Sequence, residues 1–451
     1  MRLLASLLFC TIGFAQSPLN LSRVEGLWLG TLDTGAAKLR LAFHLNADGT
    51  GTLDSLDQGA KGIKIDSFSL DGTKFTLASK AVGGGFTGEL IENGQKLQGI
   101  WKQGGNIPLV LVKSASLPEI GRPQMPKAPF PYRTEDVTFS SVNNDVTLAG
   151  TLTTPAGAGP FPAVVMITGS GPQDRDETLL GHKPFWVIAD YLSRHGIAVL
   201  RFDDRGTAKS SGNFNASTSA DFADDAEGAV LFLKSRKVFP KIGLLGHSEG
   251  GVIAPMLANR NADVSFVVLL AGPAVSGDAI LLEQNKLILA SMGAPKSLID
   301  GQIERLTKIL TIVKAEPDVK VGAEKARKAM ADVDPALKPQ VEAQIQQTAT
   351  PWFHYFLAYD PAPALKSLKQ PLLAFSGTLD LQVPAGQNLP AMKQLLEEGG
   401  NKDFKLLEMP GLNHLFQHAK TGSPNEYSQI EETISPEVLT VLAEWIGQHG
   451  K

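Results

Sequence analysis

In the second two-thirds of the chain, short, mainly apolar runs alternate with longer mixed segments. The runs are "PAVVMIT", "IAVLRF", "KIGLLG", "SFVVLLAG", "PLLAFSG" and "FKLLEM". Apolar strands without in–out alternation, separated by helix-length segments, predict a parallel sheet covered by helices on both faces. The helix candidates are Pro184 to His195, Asp221 to Arg236, Ser248 to Arg260, Pro384 to Glu398 and Pro436 to Gly447. "DVTFSS" and "VTLAGTLTTP" read as a strand pair leading into this sheet. Between "SFVVLLAG" and "PLLAFSG" lie about a hundred residues, far more than an ordinary crossover needs. Their Leu, Ile, Ala, Lys, Glu and Gln texture, clearest from Ser276 to Thr348, predicts a helical lid inserted over one end of the sheet at 276–360.

The first third has a different period. "LRLAFHLNADGTGTLDSL", "IDSFSLDGTKFTLAS" and "FTGELIENGQKLQGIWKQ" each show partial alternation about a turn pair, Asp48-Gly49, Asp71-Gly72 and Asn93-Gly94. Three hairpins in series predict a small antiparallel, meander- or barrel-like domain over 16–115. It shows no catalytic grouping, so an accessory role is expected. The proline-rich, aperiodic 116–133 reads as a linker, and the α/β catalytic domain follows over 134–451.

Residues 1–15 begin with Arg2, continue through an apolar core from Leu3 to Phe14, and end on the small residues Gly13 and Ala15. This is the pattern of a cleavable secretory signal, too short to span a bilayer comfortably. The expected location is therefore secreted or periplasmic. Cleavage after Ala15 would remove Cys10, the single cysteine, leaving neither thiol chemistry nor disulfides. The composition of the full 451-residue chain is that of a soluble globular protein, with 43% hydrophobic and 20% charged residues. A formal net charge of -4 gives no reason to expect nucleic-acid binding or stable membrane insertion. No metal or organic cofactor is expected, and nothing in the chain fixes an oligomeric state.

Candidate chemistry centres on "KIGLLGHSEGGVIAP", where Gly246-His247-Ser248-Glu249-Gly250 is Gly-x-Ser-x-Gly. Five letters are a weak signal, but an apolar run precedes them and a helix-forming segment follows. That is the strand–turn–helix context of a nucleophile elbow, which needs small residues two positions either side of the serine. A serine hydroxyl needs a base. Asp380 follows the run "PLLAFSG", and His414 follows "FKLLEM", both at the strand ends where catalytic groups gather. His414 would shuttle the proton, and Asp380 would orient the imidazole. The backbone N–H of Glu249 and that of Ser170, with Gly171 as the alternative, would hold the oxyanion.

Other polar groups have structural readings. His247 should point away from Ser248, and His418 lies further from the strand end than His414. Asp360 looks like a turn residue. Asp174, Arg175 and Asp176 should form a mutual salt-bridge network, and "FDDRG" should pin the loop after its own strand. Trp352, Phe353, Tyr355 and Phe356 form an aromatic stretch whose default role is packing, with acyl-pocket lining as the alternative.

Taken together, "GSGPQDRDE", "RFDDRGTAKSSG", "GHSEGG", "TPWFHYFLAYDP", "SGTLDLQVP" and "GLNHLFQ" resemble the bacterial EstD-type carboxylesterases, which are α/β-hydrolases. The resemblance runs from about Val137 to the C-terminus. It implies a hydrolase core with a helical lid and hydrolysis of small-molecule esters through Ser248, Asp380 and His414. Ala208 stands where that pattern more often has glycine. Two other function classes compete. A serine peptidase or aminopeptidase could use the same triad, with Glu283, Glu304 or Glu324 holding a substrate amine. A non-catalytic binding protein on the same scaffold is the other.

Overall fold

The computed structural model describes residues 21–34, 38–58, 60–118, 121–143 and 145–451. The expected signal segment, 1–15, lies outside the described residues. The chain divides into two compact units, 1–119 and 120–451.

The first unit is an all-antiparallel sheet of nine strands: β1 (Gly26–Asp33), β2 (Lys38–Leu45), β3 (Gly51–Ser55), β4 (Ala60–Lys64), β5 (Ser67–Asp71), β6 (Lys74–Ser79), β7 (Gly84–Ile91), β8 (Lys96–Lys102) and β9 (Asn106–Ser114). Strand β1 pairs with both β2 and β9, so the meander returns on itself and leaves β4 and β5 as the edges. The three turn pairs sit at the β2–β3, β5–β6 and β7–β8 connections. At the last of these, Asn93 and Gly94 have φ of 53° and 86°, the left-handed geometry that tight hairpins require. Alternate side chains point inward around Trp28, Phe43, Phe75, Phe86 and Trp101, all buried.

The second unit carries eight strands, β10 (Tyr132–Ser140), β11 (Thr147–Pro155), β12 (Ala163–Ile167), β13 (Ala198–Phe202), β14 (Ile242–His247), β15 (Val264–Leu270), β16 (Leu372–Gly377) and β17 (Phe404–Met409). Their order is β10-β11-β13-β12-β14-β15-β16-β17. The pairs β10–β11 and β11–β13 are antiparallel, and the rest are parallel. The order doubles back at β12, whose neighbours are β13 and β14, so loops after β12 and β14 leave the same end side by side. This is the α/β-hydrolase fold.

Helices cover both faces, as the predominantly apolar central strands demand. On one face α1 (Pro184–Arg194) and α11 (Pro436–His449) bury Phe185, Ile188, Leu442 and Ile446 against Val164, Leu245 and Phe375. On the other, α2 (Ser219–Ser235), α3 (Gly250–Arg260) and α10 (Ala385–Glu398) bury Ala226, Leu257 and Leu396 against Val165, Leu244 and Ala374.

Between β15 and β16 the chain forms α4 (Gly277–Ser291), α5 (Lys296–Ala315), α6 (Val319–Ala329), α7 (Lys338–Thr348), α8 (Pro351–Ala358) and α9 (Ala362–Ser367). Helices α5 to α8 share a small core of their own, including Ile309, Val313, Ala326, Ile345 and Leu357. Asp318 caps α6 and Thr350 caps α8, their side-chain oxygens accepting N–H groups of the first turn. Asp360, the expected turn residue, accepts the Ala362 N–H at the start of α9.

Part of the proline-rich segment is fastened within the second unit. Arg122 donates to the carbonyls of Leu180, Ser428 and Ile430, and Gln124 bonds the backbone of Thr433 and Ile434. The aperiodic sequence concealed this, because the partners lie up to 310 positions away. No helix among the described residues is long and apolar enough to cross a membrane.

Candidate active site

Ser248 stands at the C-terminal end of β14, at the turn into α3, with φ at 51°. The left-handed conformation is unfavourable for serine and is held by its surroundings. Its N–H is tied to the Leu270 carbonyl at the end of β15, 2.8 Å away. A Cβ on Gly246 would overlap the Gly250 carbonyl, and one on Gly250 would overlap the Ile167 carbonyl. The elbow is therefore closed to any larger residue at both glycines. Gly169 packs against it, so that a methyl group there would sit 3.3 Å from Ser248 Cβ.

The loops after β16 and β17 are laced together by backbone bonds. Thr378 N–H donates to Met409 O and Leu379 N–H to Leu412 O, each at 2.9 Å. Gly377 permits this approach, because a side chain there would strike Leu412 O. The lacing brings Asp380 Oδ2 to 2.8 Å from His414 Nδ1, with both residues buried. The other Asp380 oxygen accepts the N–H groups of Gln382 and Val383, each at 2.8 Å. Asn413 folds the histidine loop by accepting the N–H groups of Leu415 and Gln417. A carboxylate anchored this way presents one oxygen to the imidazole, leaving Nε2 as its free acid–base position.

Ser170 and Gly171 line an open cleft of about 380 Å³ with Phe214, Asn215, Gln347, Thr350, Trp352 and Phe353. That size suits a small organic ligand. Glu283, Glu304 and Glu324 are not among its lining residues, and Glu283 pairs with Lys286. Glu249 does not face the cleft. Its carboxylate is buried, and one oxygen accepts from Ser219 Oγ at 2.6 Å and Trp352 Nε1 at 2.7 Å. Burial pushes its pKa up, while those two donors hold it down.

The loop from Thr168 to Glu177 is clamped from below. Asp204 accepts from Thr168 Oγ1 at 2.7 Å and from the Gln173 N–H at 2.9 Å, so it grips both ends of the turn holding Ser170. Burial raises the Asp204 carboxyl well above its ordinary pKa, and the nearby carboxylates of Glu249 and Glu177 push the same way. Asp203 takes the Nε–Nη2 edge of the Arg175 guanidinium with its two oxygens. One expectation changes here. Arg175 pairs with Asp203 rather than with its sequence neighbours, while Asp176 pairs with Arg201 and Lys183. "FDDRG" does pin the loop after its own strand, where Asp203 accepts the Lys209 N–H and the Ser210 hydroxyl, and it grips the neighbouring loop as well. Ala208, at the place where glycine is more usual, has φ of 45°.

One buried pair was not recognised from the sequence as a unit. Glu177 Oε1 accepts the Gly169 N–H at 2.7 Å and lies 2.9 Å from His247 Nδ1. His247 Nε2 lies 3.2 Å from the His414 carbonyl oxygen. Burial opposes charge on His247, but the Glu177 carboxylate prevails and raises its pKa. Both ring nitrogens of His247 are engaged, and its carboxylate partner lies 70 residues earlier. Glu177 gives one signal only: it is an acidic residue in the "GSGPQDRDE" loop. His418, the competing histidine, is exposed and pairs with Glu432.

A family model described as serine aminopeptidase, S33, matches residues 185–420. Esterase EstD of Thermotoga maritima is 30% identical over 322 residues, which is 70% of this chain and 68% of that protein. Among solved structures, an esterase of Pyrococcus furiosus aligns with 74% of this chain and 98% of its own, at 15% identity and a TM-score of 0.44. A proline iminopeptidase of Mycobacterium smegmatis aligns with 70% of this chain and 99% of its own, at 15% identity and a TM-score of 0.41.

Proposed function

This chain belongs to the S33-type α/β-hydrolases and is an EstD-like hydrolase, and on that premise we propose that it is a serine carboxylesterase working through an acyl-enzyme on Ser248. The observation that carries the catalytic assignment is the buried 2.8 Å contact between His414 Nδ1 and Asp380 Oδ2, on loops laced beside the strained Ser248 elbow.

In this reading Ser248 Oγ attacks the ester carbonyl carbon as its proton passes to His414 Nε2. Asp380 holds the imidazole by its Nδ1–H and stabilises the charged form. The oxyanion is held by the Glu249 N–H and by the N–H of Ser170, with Gly171 the alternative donor. Collapse of the tetrahedral intermediate breaks the carbon–oxygen bond, and His414 returns the proton to the departing alcohol. A water then adds to the acyl carbon, its proton passing to His414 and on to Ser248 Oγ as the acid leaves. The helical insert, 276–360, acts as a lid over this end of the sheet. Residues 1–15 act as an export signal, which gives a secreted or periplasmic protein.

The test is turnover of p-nitrophenyl acetate by Ser248→Ala. Activity should fall by roughly 10⁴-fold or more. Near-normal turnover would sink the assignment. The peptidase reading draws support from the description of the matched family model. Against it, the lining of the cleft contains no carboxylate to hold a substrate amine. Faster release of amine from an aminoacyl anilide than of alcohol from the matching ester would favour it.

A further inference from the structure

The residue after the proposed nucleophile has two separate ends. Its N–H belongs, on the reading above, to the oxyanion hole. Its side chain runs the other way, through the buried space beneath the elbow, to the helical insert. There one oxygen of Glu249 takes both the Ser219 hydroxyl, at the start of α2, and the Trp352 indole N–H, on α8. A buried carboxylate accepting two hydrogen bonds makes stronger contacts than a neutral acceptor would.

The indole so held forms part of the cleft wall. Trp352 stacks on Phe356 at 5.4 Å and 9°, and meets Phe353 edge-on at 5.9 Å and 74°. Trp352 and Phe353 face the same cleft as Ser170 and Phe214. Gly169, next to Ser170, packs so near the elbow that an added Cβ would lie 3.3 Å from Ser248 Cβ. The aromatic wall therefore shares its cleft with the loop that packs on the Ser248 elbow. No charged side chain lines the cleft among the described residues, so it suits an uncharged group with a flat or apolar body.

We propose that Glu249 is a specificity-determining positioning residue whose buried carboxylate fixes the Trp352 indole as the wall of the acyl site, selecting uncharged, bulky acyl groups. This rests on the esterase reading of the same site. The indole ring can pack on Phe356 without its N–H bond, but it is then free to turn. The bond to Glu249 sets its plane. Because the same residue supplies an oxyanion donor, displacement of the wall is felt at the reacting carbon.

The test compares kcat/KM for p-nitrophenyl phenylacetate with that for p-nitrophenyl acetate. Trp352→Phe keeps a ring and removes the N–H. Glu249→Leu removes the acceptor, and Glu249→Gln keeps an acceptor oxygen. The phenylacetate-to-acetate ratio should fall by about tenfold in Trp352→Phe and in Glu249→Leu. It should fall no further in the double variant, because both changes break one bond. Glu249→Gln should recover most of the ratio. An unchanged ratio in Trp352→Phe overturns the proposal, as do effects that multiply in the double variant. If Glu249→Leu does not fold, Trp352→Phe and Glu249→Gln still decide the matter. Labelling of Ser248 by a fluorophosphonate is followed in parallel. Failure of the wild type to label counts against the esterase reading, whereas normal labelling with an unchanged ratio counts against Glu249 alone.

Discussion

At the scale of single residues, the site is held by groups that do no chemistry of their own. Ser248 has to keep a left-handed backbone that costs an L-residue about 1–2 kcal/mol. Gly246 and Gly250 make room for it, and the bond to Leu270 O holds it. Glu177 does comparable work on the facing loop, because its carboxylate fixes the Gly169 N–H and the His247 ring together. Through His247 it also reaches the His414 backbone, so three segments that must stay in register share one anchor. Loss of that anchor should misplace the oxyanion donors more than it weakens ground-state binding. Glu177→Ala should therefore lower kcat by about tenfold with little change in KM. Glu177→Gln should regain most of the rate, since its amide oxygen can still accept from Gly169. Steady-state kinetics on p-nitrophenyl acetate check this, and equal losses in both variants would show that charge on Glu177 matters more than its bond to the loop.

At the scale of elements, the six mainly apolar runs became β12 to β17, because a strand buried on both faces has few polar positions to disguise it; β17, at the edge, is part-exposed and carries Lys405 and Glu408. The same uniformity hides their order. Nothing in "PAVVMIT" or "IAVLRF" says that β13 lies outside β12, yet this reversal is what sets the loop of Ser170 beside the elbow. Asp380 and His414 were legible because each follows a run directly, and the contact between them spans two adjacent strand ends. Glu177 with His247, and Glu249 with Trp352, were not legible. Their partners are 70 and 103 positions apart and obey no local period. His182 is a third case, buried and bonded to the Tyr427 carbonyl and Thr433 Oγ1 across the segment that follows the histidine loop. Burial lowers its pKa to about 4 from 6.5. The unfolded chain then takes up a proton at a pH where the folded chain refuses it. The stability His182 contributes is complete above pH 6.5 and is lost as pH falls from there towards 4. The slope in that window is at most about 1.4 kcal/mol per pH unit. Denaturant melts at pH 7 and pH 5 should show the wild type losing more stability than His182→Gln over that interval. Parallel losses in the two proteins would remove His182 from the account.

At the scale of the whole molecule, the hydrophobic cores do not mix. Every buried residue around Trp28 and Trp101 comes from 21–111, while the cores on the two faces of the α/β sheet and within the helical insert draw on 137–446. Ser248, Asp380, His414, Ser170 and Glu249 all lie in the second unit, with the residues that brace them. The segment expected as a linker belongs partly to that unit as well, since Arg122 and Gln124 hold the backbone of 428–434 just beyond the histidine loop. A cut intended to separate the units should therefore precede Arg122. A chain of residues 120–451 should fold cooperatively and hydrolyse p-nitrophenyl acetate with kcat/KM within about threefold of the full chain. A chain starting at residue 128 loses both braces. It should melt at a lower temperature, because the part-buried carbonyls of Leu180, Ser428 and Ile430 lose the Arg122 hydrogen bonds. If the 120–451 chain folds with its braces intact but has lost most of its activity, the β unit is a functional part of the enzyme rather than an accessory to it.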